Sequence, residues 1–417
     1  MKIGVNQTVI TPAAGVDLAG FGRPGRKALG VHDDIYVVSM VINDASERVL
    51  IICADLIGFG TELAISLKNE ISCKYGFSDK QILLSASHTH SGPQTTFNML
   101  NVGEINEEYI SVLKEKVMNS IKCAIENMTE AEIYCGLTKC NLGVNRRRLA
   151  NGIIEFAPNE DGVTDDDVTV LKVVEGSGIK AVIFNYTCHP SMIDTDYVSA
   201  DYPGRARTTI QQAFGKEVVV LFMQGFCGNI RARTVENNEF RAGTWEDVDD
   251  YGNTLGSKVV DVCKDTMKEL KGGITSKIAN ISLPLKALPE RQFLKKCIEN
   301  GTAPEVTWAN KMLQHYNSLK VELPFTAQII SIGDDFHIVA LSGEVCVEYA
   351  DYIKRNNNNV FITAGYCNGA PGYIPTSLML RQGGYEPDGS TIYYGMPAQF
   401  DELVEDVVKA SIDNILR

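Results

Sequence analysis

The 417-residue chain carries a formal net charge of -13, with 44% apolar and 22% charged residues. These fractions are typical of a globular protein with a sizeable buried core, and the negative charge argues against nucleic-acid binding, which requires clustered Lys and Arg. No segment is apolar for long enough to span a bilayer, and residues 1–12 lack the order of a signal peptide. The eleven cysteines include no CxxC pair, so we expect a cytoplasmic protein with reduced, buried thiols.

Apolar runs of strand length alternate with amphipathic segments of helical length, a pattern that favours an α/β protein. We predict strands over residues 35–43, 49–54, 132–137, 168–174, 179–186, 218–223, 277–285, 327–332, 337–341 and 360–364, and a further strand that ends just before His88. We predict helices over residues 61–75, 107–128, 245–270 and 399–416, one that ends at Phe214, and helical turns through Lys295 and Lys311. No internal repeat or linker divides the chain, so one domain over residues 1–417 is expected.

Two histidines follow the apolar strand that contains Leu83. Because side chains alternate along a strand, His88 and His90 share one face, with their Cβ atoms about 7 Å apart. Such a pair can bind one metal ion, or divide its work between a ligand and a proton carrier. A polar loop edge without function is the commoner interpretation of an isolated pair, so its meaning depends on the rest of the chain.

Polar residues also occur where other apolar strands end, namely Asp55, His189 and Glu344. Strand ends at one edge of a sheet converge in space, and three of the six histidines lie at such ends. This pattern favours a metal or acid–base site over surface histidines, and histidine nitrogen with carboxylate oxygen suits zinc. For Asp55 alone, a cap on the following loop is an equally good interpretation.

Two further segments are ambiguous. Residues 20–25 match the GxGxxG spacing of a dinucleotide site, but no buried strand precedes them and no amphipathic helix follows. We therefore predict a flexible loop near the active site. Arg146, Arg147 and Arg148 form either a solvated ion-pair cluster or an anion-binding group.

The run from Ser87 to Pro93, with the sequence SHTHSGP, resembles the signature of the neutral ceramidases, and the similarity extends over nearly the whole chain. HTHSGP is quite specific, and the other matching segments support it. They are Gly20-Phe21-Gly22, Ala54-Asp55, Val144-Asn145-Arg146, His189-Pro190, Gly228-Asn229, Gly343-Glu344 and Cys367-Asn368 with Tyr373. The resemblance implies an α/β fold with a large mixed sheet flanked by helices on both faces.

The resemblance also implies a site and its chemistry. One zinc ion per chain would be bound by four ligands, which are His88, His189, Glu344 and Tyr373. His90 would lie beside the zinc-bound water and transfer protons, while Arg146 would contact the substrate or its oxyanion. Zinc lowers the pKa of bound water to about 7 and polarises a carbonyl group. The implied reaction is therefore hydrolysis of an amide bond.

The chain departs from the family at a serine that lies in the ceramidase active site. The family segment Gly-Asp-Val-Ser-Pro stands here as Gly228-Asn229-Ile230-Arg231-Ala232. A serine-dependent step is thus absent and a bulky cation takes its position, so we expect a substrate other than ceramide. Arg231 and Arg233 would suit a carboxylate-bearing or otherwise polar acyl compound, unless they pair with acids such as Glu236 or Glu239.

The ceramidases also carry a C-terminal immunoglobulin-like domain and are exported or membrane-associated, and we expect neither feature from this sequence. Asp55 and Asn229 are predicted to contact the substrate together with Arg231 and Arg233. The leading hypothesis is a zinc-dependent hydrolase that cleaves the C–N bond of a small or lipid-like N-acyl compound. An ester or lactone hydrolase with the same zinc site, and a ligand-binding homologue without catalysis, are the alternatives. Whether the chain forms homo-oligomers is left open.

Overall fold

The computed structural model describes residues 1–417 and contains 23 strands and nine α-helices. In chain order the strands are β1 (Lys2–Val9), β2 (Gly30–Val31), β3 (Tyr36–Asn43), β4 (Arg48–Ala54), β5 (Ile82–Ala86), β6 (Thr129–Glu130), β7 (Glu132–Lys139), β8 (Gly143–Ala150), β9 (Ile153–Asn159), β10 (Asp167–Glu175), β11 (Gly178–Tyr186), β12 (Tyr197–Val198), β13 (Val219–Gln224), β14 (Ile230–Ala232), β15 (Val235–Glu236), β16 (Glu239–Phe240), β17 (Lys268–Glu269), β18 (Ile274–Pro284), β19 (Glu322–Ile332), β20 (Phe336–Leu341), β21 (Glu344–Val345), β22 (Val360–Ala364) and β23 (Tyr373–Ile374). The helices are α1 (Thr61–Tyr75), α2 (Glu107–Glu126), α3 (Asp201–Phe214), α4 (Trp245–Lys264), α5 (Arg291–Asn300), α6 (Ala303–His315), α7 (Glu348–Asn356), α8 (Ser377–Gln382) and α9 (Val404–Leu416).

Three sheets of mixed strand direction form the body of the molecule. The first has the strand order β5-β4-β3-β1-β6, the second β13-β11-β10-β7-β17 and the third β18-β19-β20-β22. Each sheet contains one parallel pair, which is β4 with β5, β11 with β13, or β20 with β22. All other neighbours in these sheets are antiparallel.

The parallel pairs are strand–helix–strand units, because parallel neighbours need a crossover connection. Helix α1 connects β4 to β5, α3 lies between β11 and β13, and α7 lies between β20 and β22. Ligands of α/β proteins bind beyond the carboxyl ends of parallel strands. The fold therefore offers three sets of such strand ends, one in each sheet.

The three sheets share a central core. A cluster of 28 buried residues includes Ile51 of the first sheet, Ile183 of the second and Ile338 of the third, and it contains no helical residue. Helices pack on the opposite faces: α1 and α2 on the first sheet, α3 and α4 on the second, and α7 and α9 on the third. Burying both faces requires strands that are apolar on both, and six of the eight residues of β3 are buried.

The α/β class predicted from the sequence is confirmed, with one difference in detail. The strands divide into three main sheets and do not form one large sheet. The second face of each sheet is covered by the other sheets, whereas helices on both faces were expected. The sequence does not distinguish these two arrangements, because a strand buried on both faces is apolar on both, whether a helix or another sheet covers the second face.

The remaining elements form small sheets and a helix pair. β8 pairs with β9 and β14 in a small sheet, and the two-stranded pair of β21 and β23 lies beyond the third sheet. Helices α5 and α6 pack on one another through a small cluster that includes Leu294 and Trp308. None of the helices is long and apolar enough to cross a membrane.

Candidate metal centre and active site

The candidate site lies where the carboxyl ends of the three strand–helix–strand units meet. His88 and His90 follow β5, and His189 follows β11. Glu344 lies shortly after the end of β20, as the first residue of β21. A backbone bridge between Ser85 and Cys367 links the first unit to the third, and a second bridge joins His189 to Arg231 of β14. The predicted convergence of strand ends is thus present, although it joins three sheets.

Three imidazole groups face one another at this end. The ring nitrogens that His88, His90 and His189 offer lie within 4.8 Å of one another, and Nε2 of His90 is 3.2 Å from Nε2 of His88. His88 and His189 are buried. Three imidazoles at this separation can hold one metal ion.

A carboxylate completes the group. Oε2 of Glu344 lies 3.3 Å from Nε2 of His88 and 3.3 Å from Nε2 of His189. The hydroxyl of Tyr366 donates a hydrogen bond of 3.2 Å to the same oxygen, and the hydroxyl of Tyr394 donates to Oε1. Glu344 is thereby held with one oxygen between two imidazole nitrogens, as a metal-ligating carboxylate would be.

Hydrogen bonds on the far side of the rings distinguish the three histidines. Nδ1 of His88 donates to the carbonyl of Ile57 at 2.6 Å, and Nδ1 of His189 donates to the carbonyl of Cys227 at 3.0 Å. Carbonyl partners of this kind fix the tautomer in which Nε2 carries a lone pair. Nδ1 of His90 is buried and has no partner, so only His88 and His189 are prepared as ligands in this way.

The protonation states suit a metal. Burial lowers the pKa of His189 to about 4, and burial together with the neighbouring His88 lowers the pKa of His90 well below its ordinary value. Burial opposes ionisation of Glu344, but the imidazoles of His88 and His189 hold the pKa of its carboxyl group well below the ordinary value. At neutral pH His90 and His189 are therefore neutral and Glu344 is ionised, the forms that bind metals.

One buried atom also lacks a protein partner. Nε2 of His189 forms no hydrogen bond, although Oε2 of Glu344 is near. Buried polar atoms without partners are rare, and a bound ion is one ordinary explanation. The residues present therefore fit a bound metal ion.

Tyr373 reaches the site beside Glu344. The two residues are register partners in the parallel pairing of β21 with β23. The hydroxyl of Tyr373 accepts a hydrogen bond of 3.0 Å from Nη2 of Arg146. Glu386 fixes that arginine, because its Oε1 accepts from Nε of Arg146 at 2.8 Å and its Oε2 accepts from Nη1 of Arg147 at 2.6 Å. A buried ion-pair group thus aims Arg146 at Tyr373.

The backbone is strained at the site. Nine non-glycine residues have positive φ, and six of them are Asn or Asp, which tolerate it best. The other three, Phe21, His88 and Tyr366, all border the site, with φ of 57°, 67° and 57°. Such strain persists where the surroundings enforce it, and it clusters at functional sites.

The predicted loop at residues 20–25 lies against His90. Gly20 has φ of +98°, and a Cβ atom at this position would lie 2.7 Å from the His90 ring. The ring of Phe21 packs edge-on against His90 with the centroids 4.9 Å apart. The glycine is required for this close approach.

A cavity of about 430 Å³ opens over these groups, a volume within the range of small-molecule sites. Apolar and aromatic side chains, including Phe21, Met99, Val102 and Phe156, line part of it. Of the ten residues that the sequence proposed for the site, seven line the cavity: His88, His90, Arg146, His189, Arg231, Glu344 and Tyr373.

The other three candidates, Asp55, Asn229 and Arg233, do not line the cavity. Asp55 is buried, and both of its oxygens accept hydrogen bonds from Nη2 of Arg207, at 2.8 and 2.7 Å. Arg233 pairs with Glu160 and also donates to the carbonyl of Gly143. Substrate binding by these residues stays a prediction that no contact in the structure favours.

Asn229 has a supporting position behind the cavity. Its amide nitrogen donates to the carboxylate of Glu348 at 3.0 and 3.1 Å, and its Oδ1 accepts from the backbone N–H of Val347. Its carbonyl accepts from the backbone N–H of Arg146. These bonds hold β8 to the beginning of α7, so Asn229 positions Arg146 from behind.

The arginine run divides among three roles. Arg146 lines the cavity, and Arg147 is buried against Glu386. Arg148 forms a more exposed ion pair with Glu155 and another with Glu239. All three arginines are ion-paired, which agrees with the ion-pair interpretation, and anion binding stays a prediction.

Sequence reasoning missed three groups that shape the site. These are Glu386, Tyr366 and Tyr394, which bind Arg146 or Glu344. The one signal for Glu386 is its place in a glycine-rich segment, with Gly383, Gly384 and Gly389 close by, where a buried acid is unexpected. The two tyrosines carry no local signal, because buried aromatic residues are ordinary core components.

Comparisons with known proteins identify a family and a shared architecture. The family described as neutral/alkaline non-lysosomal ceramidase, N-terminal, matches residues 1–243. The neutral ceramidase of Pseudomonas aeruginosa is 22% identical over 298 residues, which are 66% of this chain and 44% of that protein. The matched region is thus less than half the length of that relative.

Two solved structures share the fold. The crystal structure of neutral ceramidase from Pseudomonas aeruginosa superposes with a TM-score of 0.79 at 18% identity, over 100% of this chain and 74% of that one. A ceramidase complexed with C2 gives a TM-score of 0.78 at 16% identity, with the same coverage. At these identities the likeness establishes the architecture alone.

Proposed function

The chain belongs to the neutral/alkaline non-lysosomal ceramidase family, and on that basis we propose that it is a zinc-dependent hydrolase that cleaves the C–N bond of an N-acyl compound other than ceramide. One observation carries the proposal: three imidazoles and a carboxylate converge from three separate strand–helix–strand units. Zinc binds this combination of nitrogen and oxygen donors. When bound, zinc supplies a Lewis acid that polarises a carbonyl group and lowers the pKa of water to about 7.

His88, His189 and Glu344 would hold the ion, with Tyr373 as the fourth residue. The carbonyl partners of the two Nδ1 atoms support the histidine assignments, since ligating histidines ordinarily have such a bond. The backbone pairing of Tyr373 with Glu344, between β23 and β21, supports Tyr373 as the fourth ligand. The lack of CxxC pairs also favours a catalytic site over a closed structural one.

His90 would handle protons. Its Nε2 lies beside the ligand cluster, and no carbonyl orients its ring. Burial keeps the imidazole neutral, so one ring nitrogen can accept a proton from the attacking water. Amine leaving groups must be protonated to depart, and the same ring can then donate that proton to the amide nitrogen.

Arg146 would stabilise the developing oxyanion. Glu386 and Tyr373 fix its guanidinium before the substrate arrives. A donor that is already oriented stabilises charge in the transition state without further reorganisation. The buried surroundings strengthen this interaction because little water competes with it.

A substrate other than ceramide is proposed because of the position of Arg231. The resemblance to the family implies that this residue takes the place of an active-site serine, and it lines the cavity. A large cation there changes both the space and the charge that the substrate meets. The family nevertheless supports a lipid-like or other small amide as the substrate class.

Purified protein, loaded with zinc and assayed on matched N-acyl and O-acyl compounds, tests the proposal. We expect amide turnover that disappears on chelation and returns with added zinc. Turnover of the esters or lactones alone would favour the esterase alternative. Zinc binding without any turnover would favour a binding protein, and undiminished activity in metal-free protein would refute the proposal.

A further inference from the structure

Arg231 is a half-buried cation without an acidic partner. Its guanidinium carbon lies 4.8 Å from the ring centre of Phe240 and 5.7 Å from that of Phe156. Its side chain forms neither a hydrogen bond nor an ion pair with the protein, whereas Arg233, two residues later, pairs with Glu160. Aromatic faces stabilise a guanidinium modestly and satisfy none of its N–H donors. The donors therefore remain available to a ligand.

The charge around the cavity makes this cation unusual. Arg146 also lines the cavity, but the buried carboxylate of Glu386 neutralises it. Glu344 is the one carboxylate in the lining, and its oxygens are occupied by histidines and tyrosines. Although the whole chain carries a net charge of -13, Arg231 is thus a cation in the cavity lining without an acidic partner.

The position of Arg231 brings that charge close to the reaction centre. Its backbone forms a parallel bridge with His189, a proposed metal ligand, and the N–H of His189 donates to the carbonyl of Ile230. An anionic group on Arg231 would thus lie near the scissile bond. The cavity also contains apolar side chains, among them Phe21, Met99 and Val102, that suit a hydrocarbon chain.

We propose that Arg231 binds a carboxylate of the substrate, and that the substrate class is the N-acyl amino acids. Such a compound has an apolar acyl chain and a carboxylate one carbon from the amide nitrogen. Guanidinium groups bind carboxylates through two parallel charge-assisted hydrogen bonds. The reaction type rests on the proposed function, whereas the carboxylate site rests on the contacts of Arg231.

The reaction balances without a further reagent. Water adds across the amide: the C–N bond breaks, the hydroxyl group joins the acyl carbon, and the remaining hydrogen of water joins the nitrogen, which becomes a primary amine. The new carboxylic acid then gives its proton to that amine. In net form, an N-acyl amino acid anion and one water give a fatty acid anion and a zwitterionic amino acid, so charge is conserved.

A matched pair of non-hydrolysable ligands tests the site by isothermal titration calorimetry with zinc-loaded protein. The pair is 4-oxoundecanoate, the ketone analogue of N-octanoylglycine, and its carboxamide. We expect the carboxylate to bind at least about tenfold more tightly, which corresponds to about 1.4 kcal/mol. Arg231→Ala should abolish the difference, and Arg231→Gln, which keeps more of the side-chain volume, should do the same.

Arg148→Ala is the control, because it removes an ion-paired arginine that does not line the cavity. That variant should keep the full preference for the carboxylate, and thermal unfolding should show all three variants folded. Equal binding of the two ligands to the unmutated protein would overturn the inference. A preference that survives in both Arg231 variants would also overturn it.

Turnover of N-octanoylglycine and N-octanoylglycinamide separates this inference from the proposed function. Hydrolysis of both compounds at equal efficiency, with no preference in binding, would refute the carboxylate site and leave the amide hydrolase standing. A carboxylate preference that depends on Arg231, with hydrolysis of neither compound, would support the site and refute the amide hydrolase.

Discussion

The two histidines of the HTH run have different surroundings although they share one motif. His88 is buried, has its Nδ1 fixed by the carbonyl of Ile57, and adopts a strained positive φ. His90 has no such partner and instead packs against the loop that contains Gly20. The contacts therefore favour a ligand role for His88 and a proton-transfer role for His90.

Alanine variants should separate these roles. We expect His88→Ala to lose zinc and activity together, because it removes a ligand whose orientation is fixed. His90→Ala should retain about one zinc per chain and lose activity by about 10²- to 10⁴-fold, the range of general acid–base catalysis. Metal analysis and kcat/KM are the measurements.

His315→Ala is a suitable control, since His315 lies on the exposed surface at the end of α6. It should change neither zinc content nor activity. If His90→Ala lost zinc as completely as His88→Ala, the three histidines would all be ligands and the division of roles would be wrong.

At the residue scale, the sequence indicated the members of the site that belong to compact motifs or strand ends. His88, His90, His189 and Glu344 were found in this way, and the structure brings them together. Glu386 could not be found, because its partner Arg146 is 240 residues away and no local pattern links them. Tyr394 likewise contacts Glu344 across 50 residues.

At the element scale, helix α7 and strand β14 are connected by a half-buried carboxylate. Glu348 begins α7 and accepts hydrogen bonds from Asn229, the residue before β14. Burial raises the pKa of Glu348 to about 7, although the hydrogen bond from Asn229 opposes that rise. The unfolded chain would have an ordinary glutamate pKa of about 4.3.

This difference predicts a pH dependence of stability. Between about pH 4.3 and about pH 7 the folded protein retains a proton on Glu348 that the unfolded chain has lost. The protonated Glu348 stabilises the folded protein fully below about pH 4.3, and this stabilisation is lost as the pH rises through about pH 7. Glu348→Gln removes the titration but keeps an oxygen acceptor for Asn229, so the variant should gain stability relative to the unmutated protein as the pH rises.

Urea unfolding at pH 5 and pH 8 provides the measurement, with the difference in unfolding free energy between the two proteins as the readout. Contributions from other groups cancel in this difference. A difference that is the same at both pH values would show that Glu348 does not titrate in this range.

The elements themselves were predicted unevenly. Helix α1 has the predicted bounds, but α4 ends at Lys264 whereas the helical pattern extended to residue 270. Strands β8 and β9 were missed, because the sequence GVNRRRLA of β8 has no apolar alternation. Arg146 and Arg147 are nevertheless buried in β8, where both form ion pairs with the carboxylate of Glu386. Local patterns cannot reveal a partner of this kind.

At the scale of the whole molecule, the site is built from three sheets. His88 follows a strand of the first, His189 a strand of the second, and Glu344 a strand of the third. The division into three sheets was not predictable, because strand pairing across hundreds of residues leaves the local pattern unchanged. A metal ion bound by these residues would therefore connect all three sheets.

Zinc removal should consequently lower the stability of the whole protein. A ligand that binds only the folded state stabilises it by a free energy that grows with the logarithm of the ligand concentration divided by Kd. At a concentration a hundred times Kd this free energy is about 2.7 kcal/mol. We expect chelation to lower Tm, re-addition of zinc to restore it, and His88→Ala to make Tm insensitive to zinc. A Tm unaffected by chelation would contradict a metal that joins the sheets.

The central claim is that one zinc ion is bound by His88, His189, Glu344 and Tyr373. Anomalous diffraction above and below the zinc edge, from crystals of the purified protein, tests it most directly. We predict a single strong anomalous peak per chain, within about 2.0–2.2 Å of Nε2 of His88, Nε2 of His189 and an oxygen of Glu344, with the Tyr373 hydroxyl beside it. No peak among these four side chains, or a peak bound by other residues, would contradict the account.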